Sequence, residues 1–194
     1  MKTHPFFTVI SRLLCIPLLF LSACASIDQR HVVLVSVPEQ NMVLLQDKIP
    51  IAQYPVSTSK FGLGNQPDSN RTPLGRFEIA RKIGENAPPG TVFKDRLPTG
   101  EILPVDAPGR DPIVTRILWL HGLEEQNANS FSRYIYIHGT PEERNIGQPV
   151  SYGCIRMRSQ DIIHLSSLVG HRARVFILNR PMETILQDVG ALPE

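Results

Sequence analysis

The chain of 194 residues carries 20 basic and 18 acidic side chains, a formal charge of +2. With Lys2 and Arg12 set aside as part of an N-terminal export segment, 18 basic residues face 18 acidic ones, so the long-range field that draws a protein to a polyanion is missing. No basic block or aromatic-basic stripe is present, which argues against a nucleic-acid partner, and 42% hydrophobic residues supply enough apolar material for one core.

The chain opens weakly basic and then runs apolar from Leu13 to Leu21. That run falls short of the roughly 20 residues a membrane-spanning helix needs and has the shape of a secretory signal. It ends Leu21-Ser22-Ala23-Cys24, which resembles the bacterial lipoprotein processing box, so residues 1–23 are read as a signal peptide and Cys24 as the lipidated N-terminus. Ala25 rather than Asp after Cys24 points, by analogy with lipoprotein sorting, to the outer membrane. Residues 24–30 form a polar tether, and the remainder fits a single domain over 31–178 with a tail over 179–194. Cys15 leaves with the signal and Cys24 carries lipid, so the mature domain keeps one thiol, Cys154. An exported protein normally pairs its cysteines; a solitary one is either a buried small hydrophobe or a reactive group.

His31-Val-Val-Leu-Val-Ser-Val37 is a β-branched run that predicts a buried strand. Met42–Gln46 and Ile51–Val56 continue the pattern with polar turns between, as in an antiparallel meander. Residues 57–71, rich in Gly, Ser, Asn and Asp, predict a loop, and Thr72-Pro-Leu-Gly-Arg-Phe-Glu-Ile79 a tight turn feeding a strand. The stretch from Gly84 to Pro112 is too rich in Pro and Gly for a regular element; a loop of that length is usually functional or mobile, which makes it a candidate lid. Strands follow at Ile113–Leu120 and Phe131–Ile137. Ser159 is read as the cap of a helix to about Val169, with Ile162, Leu165, Leu168 and Val169 inward and Gly170 ending it. Ala173–Leu178 is a last strand, after which Pro181 is placed to open a short helix. The class is mainly β with one or two short helices.

In Arg133-Tyr-Ile-Tyr-Ile-His138 the alternation puts Tyr134, Tyr136 and His138 on one face. His138 ends that strand beside Gly139, where another group can approach. Further on comes Ser151-Tyr152-Gly153-Cys154-Ile155-Arg156-Met157, with Cys154 sixteen residues after His138. A histidine within reach of the thiol can take its proton, and backbone N–H groups around a Gly-Cys turn can face a developing oxyanion. Arg156 is suited to steadying the thiolate, to gripping a substrate carboxylate, or to a structural ion pair. His121, after Trp119-Leu120, also ends a strand, and is either a cleft residue or structural; His164 and His171 are read as structural. A zinc site from Cys154, His138 and His121 would have three ligands, but no HExxH or CxxC spacing supports it, and neither metal nor cofactor is expected.

His138-Gly139-Thr140 followed by Ser151–Met157 resembles the signature of the L,D-transpeptidase catalytic domain, also called the YkuD domain, and Thr72–Ile79 resembles that family's TP-x-G-x-F-x-I turn and strand. The likeness runs from about Val32 to Leu178. It implies a β-sandwich of mixed and antiparallel strands, with Cys154 as nucleophile, His138 as general acid/base, the Gly139 carbonyl orienting the imidazole, and the N–H groups of Gly153 and Cys154 as oxyanion hole. Ser151, Tyr152, Tyr136, Arg156 and His121 are candidate substrate contacts. One departure stands out: many relatives carry His where this chain has Tyr152, which puts the acceptor or specificity in question if that side chain takes part. The implied reaction is ping-pong acyl transfer on peptidoglycan stem peptides, with loss of D-Ala and an acceptor that is a second stem, a lipoprotein lysine or a free D-amino acid. The expected setting is the periplasmic face of a bacterial envelope, as a lipid-anchored monomer. Two rivals remain: a hydrolase of the same Cys–His site, and a catalytically silent, lipid-anchored wall-binding module.

Overall fold

A computed structural model describes residues 27–191; the signal segment and Cys24 lie outside them. The first three strands, β1 (His31–Ser36), β2 (Asn41–Gln46) and β3 (Ile49–Pro55), form the expected antiparallel meander. Between β2 and β3 the chain turns on Asp47 and Lys48, both at positive φ (51° and 68°), the geometry that matches strand twist in a two-residue hairpin. β1 reads as continuously apolar because both its faces are covered. Val33 and Val35 enter the main core, while Leu34 enters a second cluster under the C-terminal helix.

β4 (Gly75–Ile83) follows the turn at Thr72-Pro73. The Pro-rich stretch, expected to be irregular, instead contains a hairpin, β5 (Thr91–Lys94) and β6 (Leu97–Ile102), turning on Asp95 and Arg96 at φ 51° and 69°. Pro98 is tolerated because β6 is the outermost strand of its end of the sheet, where an N–H facing outward has no partner to lose. β7 (Ile113–Gly122) is the longest strand and the hub, pairing with β4 and β5 and with β8 (Tyr136–Gly139). The strand expected from Phe131 begins only at Tyr136; residues 131–134 turn, and Tyr134 sits at φ 58°, which breaks the alternation.

β9 (Ile155–Met157) runs parallel to β8, and β10 (Arg174–Leu178) runs parallel to β1. Among the described residues ten strands form one mixed sheet in the order β3-β2-β1-β10-β4-β7-β5-β6, with β8 and β9 branching from β7. The branches fold over a common core in which Val33, Met42, Phe77, Leu118, Ile137 and Ile155 are fully buried. Each contributes roughly 1.5–3 kcal/mol of transfer free energy. Helix α1 (Ser159–Leu168) closes that core with Ile162 and Leu165. Its N-cap is Arg158 rather than Ser159, and the Ser159 N–H donates to Glu143 Oε1 at 2.8 Å, so a distant carboxylate serves the helix start. Helix α2 (Met182–Gln187) covers the outer face of β1, β2 and β10, and Pro181 precedes it. His164 bonds Tyr54 Oη at 2.9 Å and His171 bonds the Ala80 carbonyl at 2.9 Å, both away from the strand ends described next.

Candidate active site

The parallel register Ile137↔Ile155 and His138↔Arg156 fixes the site. Ile135, Ile137, Ile155 and Met157 point into the core, so by alternation Tyr136, His138, Cys154 and Arg156 share the opposite face. Cys154 falls beside Tyr136, whose backbone N–H faces the thiol, and Sγ donates to the Tyr134 carbonyl at 3.4 Å. His138 in β8 and Cys154 in the bend just before β9 are therefore diagonal neighbours, about 8 Å apart at Cα if the spacing and rise of the sheet extend to Cys154.

His138 is buried, and its Nδ1 lies 2.8 Å from the Gly139 carbonyl. A carbonyl only accepts, so Nδ1 carries the hydrogen and Nε2 keeps its lone pair. Burial pulls the His138 pKa from 6.5 down to about 4, partly offset by the Gly139 bond and reinforced by the charge of Arg156. Burial likewise pushes the Cys154 thiol up to about 11, against the pull of the Tyr136 N–H, Arg156 and Arg133. The half-buried thiol packs on an apolar wall that includes Phe93, Ile117, Trp119 and Tyr136. Both shifts favour the neutral thiol and imidazole over an ionised pair, because the wall disfavours charge more than nearby dipoles restore it.

The turn that presents Cys154 is held from several sides. Gly153 has φ +118°, and its carbonyl accepts from Thr72 Oγ1 at 3.0 Å, which ties the nucleophile loop to the Thr72-Pro73 turn. Ser151, expected at the substrate, is fully buried; its Oγ donates to the Cys154 carbonyl at 2.6 Å and accepts the Gly153 N–H at 3.3 Å. The Gly153 N–H, expected in the oxyanion hole, is therefore occupied inside the turn. Gly139 is needed for close approach: a Cβ there would lie 2.6 Å from the Val114 carbonyl oxygen. That contact sits at a register shift in β7 where Thr115 adopts φ 72°, a bulge of the kind that re-aims strands near functional sites.

Arg156 does not project into open space. It meets Asp111 at 2.5 Å, with both side chains largely buried, and Asp111 also accepts from the Thr140 hydroxyl. His121 also departs from the expected site: it pairs with Glu78 across β4 and β7 and stands edge-on to Phe131, 6.1 Å between centroids. Among the described residues no three His, Cys, Asp or Glu side chains converge as a metal site. Tyr152 is exposed and, with Cys154, Arg133, Asp68 and Asn70, lines a cleft of about 320 Å³. Tyr136 lines a second cleft of about 290 Å³ on the other side of Tyr134, with Phe93, Asp95 and Arg96.

Several of these groups carry no signal in the sequence. Arg133 bonds Asn65 Oδ1 at 2.7 Å and the Arg71 carbonyl at 2.9 Å, bracing the loop over 64–71 beside the thiol. Arg96, at the hairpin tip, lies over the rings of Trp119 (5.2 Å) and Tyr134 (5.0 Å) and bonds the Tyr136 side chain. Only the lone tryptophan could have drawn notice, and nothing local says what it faces.

The fold and the cysteine–histidine face define a mainly β domain of the L,D-transpeptidase type. The family model described as "L,D-transpeptidase catalytic domain" (YkuD) matches residues 30–177, and the chain belongs to that family. It is similar to YkuD of Bacillus subtilis (49% identity over 49 residues, 25% of this chain and 30% of that protein). It is also similar to YqjB of the same organism (41% over 58 residues, 29% of this chain and 33% of that protein). Among solved structures, L,D-transpeptidase 3 of Mycobacterium tuberculosis superposes with a TM-score of 0.51 at 16% identity, covering 77% of this chain and 61% of that one. An Enterococcus faecium L,D-transpeptidase variant does so with a TM-score of 0.50 at 13% identity, covering 78% and 50%. These likenesses establish the fold. The matches span about a third of the curated relatives and 50–61% of the solved chains.

Proposed function

We propose that the chain is an L,D-transpeptidase that cleaves the bond between the third residue of a peptidoglycan stem and its terminal D-Ala through a thioester on Cys154. The observation that carries this reading is the fixed tautomer of His138: with Nδ1–H committed to the Gly139 carbonyl, Nε2 is the basic atom on the face it shares with the thiol.

The neutral resting pair sets the order of events. Sγ attacks the L-centre carbonyl as its proton passes to Nε2, so neither charge stands alone in the apolar pocket. The tetrahedral oxyanion is met by backbone N–H groups at Cys154 and, once released from Ser151 Oγ, at Gly153; loss of one such donor typically costs about 10²–10³ in rate. Nε2–H then protonates the departing amine, D-Ala leaves, and the thioester remains. An acceptor amine gives its proton to Nε2, attacks the thioester, and restores the thiol as the new amide forms. Arg156, paired with Asp111, serves here as a structural charge and not as a carboxylate clamp; it adds to the burial that disfavours protonation of His138.

Incubation of the purified protein with stem tetrapeptides, followed by mass spectrometry, tests the reading. Dimers or D-amino-acid-exchanged peptides that vanish in Cys154→Ala support transfer. Tripeptide alone would assign a hydrolase, and no turnover on a folded sample, with no covalent adduct to a carbapenem, would leave a wall-binding module. Anchoring through Cys24, and with it a periplasm-facing location, rests on Leu21-Ser22-Ala23-Cys24. Incorporation of a labelled fatty acid that survives Cys24→Ala would remove that part.

A further inference from the structure

We infer that Lys60 and Tyr152 together form the binding site for the free α-carboxylate of the residue that departs in the acyl-transfer step. The inference rests on the proposed function and assigns a substrate group to a cation that has no carboxylate partner among the described residues and that bonds Tyr152, a residue lining the nucleophile cleft.

Lys60 is anchored by its backbone to the segment that leads into Cys154. Its N–H donates to the Ser151 carbonyl at 3.1 Å, the Ser151 N–H donates to the Thr58 carbonyl at 2.9 Å, and Ser59 and Ser151 form a parallel bridge. From there Nζ donates to Tyr152 Oη at 2.8 Å and lies 4.2 Å from the Tyr152 ring centroid and 5.3 Å from that of Phe61. The two rings are 5.5 Å apart, and both residues are exposed. Aromatic faces hold an ammonium in place without cancelling its charge.

Among the described residues no carboxylate pairs with Lys60. Of the cations that act on the thiol, Arg156 is paired with Asp111, while Arg133 keeps its charge and spends donors on Asn65 and the Arg71 carbonyl. An ammonium has three N–H donors, so two remain for a ligand, and the phenol that accepts one of them still has its own O–H to give. Two donors, one of them charged, thus meet at Tyr152, which lines the cleft that holds Cys154. A carboxylate one residue past the attacked carbonyl, about 3.8 Å further along the chain, is the anion the reaction brings there. Position 152 then acts through its side chain, and the departure from the commoner histidine becomes a matter of donor selection rather than of backbone geometry.

The test uses the mature chain carrying Cys154→Ala, titrated calorimetrically at low ionic strength with a stem tetrapeptide ending in free D-Ala and with its C-terminal amide. A charged hydrogen bond lost should weaken the amide by roughly 10-fold or more. Lys60→Met should bind both peptides alike at the weaker level, Lys60→Arg should restore the preference, and Tyr152→Phe should reduce it while leaving the ring. With Cys154 intact, kcat/KM should show the same acid-over-amide ratio and the same losses. Peptides that bind or turn over with no such ratio, or a ratio that survives Lys60→Met, overturn this inference alone. Peptides that neither bind nor turn over overturn the proposed function, and the inference with it.

Discussion

Arg156 and Asp111 form a 2.5 Å ion pair on the strand position beside His138. A charge buried this far from water is tolerated because its partner, and the Thr140 hydroxyl on that partner, satisfy it. Asp111→Ala should therefore destabilise the fold by about 3–5 kcal/mol, since it strands a buried guanidinium, whereas Asp111→Leu with Arg156→Met should recover most of the loss. Urea unfolding midpoints of the single and double variants check this. Equal destabilisation in both would show that the pair's packing rather than its charge matters.

A neutral resting thiol has a direct chemical signature. Alkylation of Cys154 by iodoacetamide, followed by peptide mass spectrometry, should keep rising as pH approaches the thiol's pKa of about 11, because only the thiolate reacts. A rate that levels off below neutral pH would mean that the pair is ionised from the start and that the apolar wall does not set its charge.

His138 makes the fold acid-sensitive. Above pH 6.5 the imidazole is neutral whether folded or unfolded, and it adds no slope. As pH falls from 6.5 toward about 4, the unfolded chain takes a proton that the folded chain refuses, so stability is lost across that window and the loss levels off below it. At about 1.4 kcal/mol per unit the total approaches about 3 kcal/mol. Denaturation midpoints measured across the window should fall more steeply for the wild type than for His138→Gln; parallel curves would refute the assignment.

Gly153→Ala forces a side chain into φ +118° and puts its Cβ 3.3 Å from the Arg71 carbonyl oxygen. A cost of about 1–3 kcal/mol is expected, together with slower acylation by a carbapenem, because the turn that aims Cys154 must relax. Acylation at the wild-type rate would show that the loop tolerates other geometries.

The β5–β6 tip is held on the cleft by Arg96, stacked over Trp119 and Tyr134. Arg96→Ala removes contacts of about 0.5–1 kcal/mol each, so amide exchange over residues 91–102 should accelerate several-fold, while the exposed Lys94→Ala leaves it unchanged. Equal protection in all three proteins would mean that strand pairing alone fixes the hairpin, and the expectation of a lid would lose its physical basis.

Local pattern carried much of this molecule. The β-branched run at His31, the apolar spacing of Ile162 and Leu165, and the alternation from Ile135 to His138 each state a period and a face, and the fold obeys them. The motif around His138 and Cys154 was legible for the same reason: short spacings within strands and turns fix which side chains share a surface. What the tertiary structure alone decided involves residues far apart in sequence. Pro98 and Arg96 form an ordered hairpin because β6 is an edge strand of the sheet, a fact about neighbours. Asp111 reaches Arg156, Lys60 reaches Tyr152, and Phe93, Ile117 and Trp119 surround the thiol only after folding. Desolvation and ion pairing sum over whatever the fold brings within a few ångströms, so the charge state of Cys154 and His138, unlike their identity, could be read only from the assembled structure.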